Sequence, residues 1–162
     1  MKKYLLVAMV LVLVSVVVIS CAGVRTPVPD DLKEVVITLE RTPCFGFCPV
    51  YMLTIYGSGE VIYEGKRFVG VEGIRTTTIS AEKIEQLVSE FQNIAYFSLN
   101  DSYEETNATD MPSAITSITI NGETKIIRHY HGDSSAPKEL TELENKIDEI
   151  VYSDQWVKRN PQ

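Results

Sequence analysis

The segment from Arg41 to Tyr51 reads RTPCFGFCPVY, and its two thiols, Cys44 and Cys48, are the first residues whose type and spacing suggest chemistry. Such a pair can be a redox centre, half of a metal clip or a disulfide staple. Redox pairs are usually CxxC at a helix N-terminus, where the dipole lowers a thiol pKa. Here the spacing is CxxxC, and the flanks VVITLER and YMLTIY read as strands. A soft-ligand tetrahedral metal site takes four ligands. The only histidines, His129 and His131, lie two apart on an expected strand and so share a face. With Cys44 and Cys48 they make a Cys₂His₂ set if the two strands adjoin, which nothing in the sequence requires. A disulfide would close a very short loop, worth only about 2 kcal/mol in the chain-entropy account. Its larger effect is local: it holds Phe45-Gly46-Phe47 in a bend, with Gly46 free to take positive φ and Pro49 suited to open a strand.

The compartment separates these readings. MKKYLLVAMVLVLVSVVVISCAG opens on Lys2 and Lys3 and then carries no charge from Tyr4 to Val24, the pattern of an export signal. It ends in Val18-Ile19-Ser20-Cys21, which resembles a bacterial lipobox. Residues 1–20 therefore read as a lipoprotein signal peptide. Cys21 would be the lipid-bearing N-terminus, and residues 21–33, with Pro27 and Pro29, an extended tether. The rival is an uncleaved membrane anchor, which also puts the rest of the chain outside the cytoplasm. With Cys21 acylated, the odd count of three cysteines becomes one even pair, and oxidising compartments favour its bonding. The staple is the preferred reading, with no metal and no cofactor.

Loss of Lys2 and Lys3 leaves 13 basic against 22 acidic residues, a net −9 for the mature chain. That excludes nucleic acid as a natural partner and disfavours electrostatic docking on anionic lipid. Residues 34–162 are enough for one domain. EVVITLER alternates, with Val35, Ile37 and Leu39 on one side. VYMLTIY, GSG and EVIYEGK make a hairpin, and GIRTTTIS is a further strand. Ser80 offers an N-cap to a helix carrying Ile84, Leu87, Val88 and Phe91. AITSITI, Asn121-Gly122 and TKIIRHY form a second hairpin, since Asn-Gly supplies the positive φ angles of a type I′ turn. Both of its faces are apolar, so the pattern leaves open which one is buried. Ser134-Ser135 reads as a capping stretch before Pro137, which starts a helix with Leu140, Leu143, Ile147 and Ile150 on one stripe; Trp156 packs the tail back. The sum is an α+β domain, an antiparallel sheet with two amphipathic helices on one face.

ITLERTPCFGFCPVYMLTIYGSGEVIYEG, followed by Tyr103, TDMP at 109–112 and the late helix, resembles the domain-of-unknown-function 6438 family over residues 34 to about 156. The resemblance implies an exported or lipid-anchored bacterial domain and supplies no activity. Residues 98–113 have no periodicity, and structureless loops longer than about 12–15 residues in compact domains are usually functional or disordered. This loop carries Tyr103, Thr109, Asp110 and Pro112, which match the family pattern. Arg41 ends a strand just before the CFGFC bend and is expected to pair with Asp110. No GxSxG, HExxH, P-loop or dinucleotide fingerprint occurs. Two function classes remain. The favoured one is a membrane-anchored envelope lipoprotein that binds a protein or small ligand through the bend and this loop, at Arg41, Tyr51, Tyr103, Asp110, His129 and His131. The other is an enzyme or a metal- or redox-handling protein of the Cys44/Cys48 region.

Overall fold

A computed structural model of the chain describes residues 32–105 and 108–158. The signal segment, Cys21 and nearly all of the tether lie outside the described residues. Among those described, no helix is long and apolar enough to cross a membrane.

Seven strands form one sheet in the order β4-β3-β2-β1-β6-β7-β5. The leading strand, β1 (Val36–Arg41), is central, with β2 (Val50–Tyr56) on one side and β6 (Ser113–Ile120) on the other, both antiparallel to it. Outward from β2 follow β3 (Glu60–Arg67) and β4 (Gly73–Thr78). Outward from β6 follow β7 (Glu123–Tyr130), reached through Asn121 (φ 53°) and Gly122 (φ 77°), and the edge strand β5 (Ser102–Tyr103). β5 runs parallel to β7, the one departure from antiparallel pairing. The loop of residues 98–113 therefore contributes the seventh strand. Met111 N–H also donates to the Tyr130 hydroxyl, and Ser113 N–H to Thr42 Oγ1.

Inward residues recur with period two. Ile37 and Leu39 of β1, Leu53 and Ile55 of β2, Val61 and Tyr63 of β3, Ile118 of β6 and Ile127 of β7 are all at most 1 % exposed. On the second hairpin this decides the open question: Ile127 is buried, whereas Ile126 on the opposite face is 55 % exposed. The helices α1 (Ala81–Asn93) and α2 (Lys138–Val151) cover the inward face with the expected stripes, and they touch each other. Ser80 is the N-cap of α1 without a side-chain bond to the helix. Ser134-Ser135 does not cap α2. Pro137 is its N-cap, and Ser135 N–H donates to Asp133 Oδ1 instead. After α2 the short helix α3 (Asp154–Val157) brings Trp156 onto Tyr63, ring centroids 4.9 Å apart.

Candidate functional site

The register aligns one transverse row on the inward face near the C-terminal end of β1. Gly65, Tyr51, Arg41, Ala114, His129 and Tyr103 stand on β3, β2, β1, β6, β7 and β5 in that order. The parity that points Ile37 and Leu39 into the core also points Arg41 there, and its guanidinium must find carboxylates under the helix layer. They come from α2. Arg41 Nη1 donates to Glu144 Oε2 at 3.2 Å, and Nη2 to Asp148 Oδ2 at 2.9 Å. Asp148 Oδ1 also accepts from the Tyr51 hydroxyl at 2.8 Å and from Ser153 Oγ at 2.6 Å.

Glu144 is fully buried, and both of its oxygens are engaged by imidazoles: His129 Nδ1 lies 2.7 Å from Oε1 and His131 Nε2 lies 2.9 Å from Oε2. Burial alone would raise the Glu144 pKa. The hydrogen bonds from His129 and His131 and the Arg41 charge outweigh it and hold the group below its ordinary value, as a carboxylate. Burial likewise works against the Arg41 charge, but Asp148, Tyr51 and Glu144 keep its pKa above the ordinary value. Burial, reinforced by Asp148, pushes the Tyr51 phenol far upward, so it stays a donor.

This cluster floors a cleft of about 260 Å³ between the sheet end and α2, to which Arg41, Tyr51, His131, Asp148, Cys48 and Pro112 all contribute. The CFGFC bend forms one lip. Cys44 and Cys48 stand at disulfide distance with Cα atoms 5.7 Å apart, so they do not reach for the histidines. Gly46 is near-extended at φ 159°, and the tight bend does not rest on a left-handed glycine. Phe45 and Phe47 project outward, 88 % and 82 % exposed, and Phe47 meets Phe68 edge-on at 5.2 Å.

Of the residues singled out from the sequence, Arg41, Tyr51, His129 and His131 converge. Tyr103 is close but structural, buried with its ring edge toward His129 at 6.5 Å. Asp110 is not the partner of Arg41. Its side chain accepts from Thr109 Oγ1, and its carbonyl accepts the Phe45 N–H at 3.1 Å, so it ties the loop to the bend through the backbone. Glu144 and Asp148 sit where the expected pairing placed Asp110, and the sequence reading missed both.

A family model described as a domain of unknown function (DUF6438) matches residues 35–151. No curated protein matches the chain.

Proposed function

The chain belongs to the DUF6438 family, and because membership carries no activity we propose, from the chain's own features, that it is a membrane-tethered envelope lipoprotein acting as a non-enzymatic binding module. The observation that carries the reading is the bend. Two phenylalanines, Phe45 and Phe47, are held in water on a loop clamped by Cys44 and Cys48, beside a cleft. Exposed aromatic side chains on a pre-ordered loop present apolar surface to a partner without a large ordering cost on binding. At the floor of the cleft Arg41 is held by Asp148 and Glu144 and presents a fixed positive charge beside the bend. The export signal and Cys21 supply the compartment and the tether, which enters the fold at Leu32, ahead of the strand whose far end carries the bend.

The test has two arms. Cys21→Ser should abolish palmitate labelling and either release the protein from membranes or leave its precursor unprocessed; unchanged fractionation and labelling would remove the anchor. A photo-crosslinking residue at position 47 should yield a discrete adduct in intact envelopes, whereas one at position 123, the exposed first residue of β7, should not. Equal adducts from both positions would mean that the bend is no docking surface.

A further inference from the structure

Glu144 is fully buried beneath the cleft, and the groups gathered on it, two imidazoles on a carboxylate, are those that bind first-row metals. One nitrogen each from His129 and His131 and one oxygen from Glu144 lie within 4.8 Å of one another.

We propose that His129, His131 and Glu144 form a site for a zinc-class divalent metal, with its remaining coordination position open to the cleft beside Arg41. Two imidazoles and one carboxylate suit a borderline first-row ion better than magnesium or calcium, which prefer all-oxygen shells. Three protein ligands with an open fourth position distinguish reactive or ligand-taking zinc sites from closed structural ones.

The geometry asks for small movements. Bonds of about 2.1 Å in a tetrahedral shell place ligand atoms about 3.4 Å apart. His129 Nδ1 and His131 Nε2 bond different Glu144 oxygens, at 2.7 and 2.9 Å. An ion held by one carboxylate oxygen therefore widens one of these contacts and draws the other imidazole in, and each imidazole keeps its proton on its other ring nitrogen. His131 has the freedom for this. It follows the last residue of β7, is a quarter exposed and lines the cleft. The helix fixes Glu144 and the sheet fixes His129, so the two buried ligands are pre-positioned.

Arg41 determines what comes fourth. Its guanidinium lies against Glu144 Oε2 and weakens the site for a bare dication. With the ion in place the cluster carries +1, and an anionic oxygen ligand entering from the cleft restores neutrality while facing Arg41. The class of ligand is therefore a small carboxylate or hydroxide. The cysteines take no part: of the Cys₂His₂ set weighed from the sequence only the two histidines are retained, with Glu144 as the third ligand.

This inference goes beyond the binding-module reading and does not depend on it, because it concerns the chain alone. The full chain, purified in detergent without a histidine tag and stripped by chelator, is titrated with Co²⁺ and then Zn²⁺. One Co²⁺ per chain is expected, with visible ligand-field bands, no thiolate charge-transfer band and displacement by Zn²⁺. His131→Ala should weaken Co²⁺ binding by more than about 100-fold, beyond the loss that an outer-shell partner produces. Glu144→Gln should do the same if circular dichroism finds it folded, and His131→Ala decides alone if it is not. Absence of saturable binding, a thiolate band, or unchanged affinity in His131→Ala overturns the proposal.

Discussion

Substituting Glu144 by Gln keeps the shape of the side chain and removes its charge, so it isolates what the carboxylate contributes to the metal-free fold. The new amide has one acceptor and one donor end. Arg41 Nη1 is an obligate donor facing the Oε2 position, so the amide oxygen must stay there, shared with His131. The NH₂ group then faces His129, whose imidazole can change tautomer and accept. Hydrogen bonds survive on both sides. What is lost is the negative charge of a fully buried side chain set between an arginine and two imidazoles. Breaking a buried pair costs about 3–5 kcal/mol, and retained hydrogen bonding puts this change near 3 kcal/mol. Urea unfolding at pH 7 should show a lower midpoint with an unchanged slope. A loss under about 1 kcal/mol, the range of surface pairs, would refute the reasoning.

The pH profile gives a second reading. The Glu144 pKa is lowered in the fold from its ordinary 4.5. Its contribution is therefore fully present above pH 4.5 and is lost as pH falls through the folded value. Between pH 5 and pH 3 the parent should lose more stability than Glu144→Gln, because the variant has no carboxylate to protonate there. Parallel acid profiles would mean that Glu144 is not held ionised by its partners.

Three further predictions concern the surroundings. Arg41→Gln and Asp110→Asn should be additive in stability, while Arg41→Gln and Asp148→Asn should couple by at least about 0.5 kcal/mol, as contacting residues do; urea unfolding of both cycles compares them. Reducing Cys44–Cys48 should release two thiols on titration and speed amide exchange across residues 42–50, costing about 2 kcal/mol and leaving the sheet intact. Gly65→Ala would place a Cβ 2.1 Å from the Val71 carbonyl oxygen and 2.6 Å from the Tyr63 hydroxyl, which bond each other. Overpacking of this kind costs about 1–3 kcal/mol and should appear as a lower thermal midpoint.

The strands and helices were legible because local signals agree with the fold. Val35, Ile37 and Leu39 alternate, Asn121-Gly122 marks its own turn, and both helices carry a continuous apolar stripe. β5 was not legible. Two residues have no period, and this strand exists only through its pairing with Arg128 and His129. Arg41 and Asp110 were paired because each stood near a structural landmark in the chain. That inference ignored parity. Asp110, at φ 75°, lies exposed on a loop, whereas Arg41 shares the inward face of β1 with Ile37 and Leu39.

Parity also holds the signal that finds the right partner. Arg41, Tyr51 and His129 each continue an inward apolar series at the end of their strand, so three polar groups must meet beneath whatever helix covers that end. Most acids of KELTELENKIDEI lie on the outer face of the helix, as an acidic run on an amphipathic helix normally does. Glu144 does not. It falls four residues after Leu140 and three before Ile147, within the stripe that faces the sheet. An ionised side chain on a core-facing stripe is costly unless an opposite charge waits for it, and Arg41 is the cation that the inward face of β1 supplies. The two anomalies, a carboxylate in a helix stripe and a guanidinium on an inward strand face, account for each other.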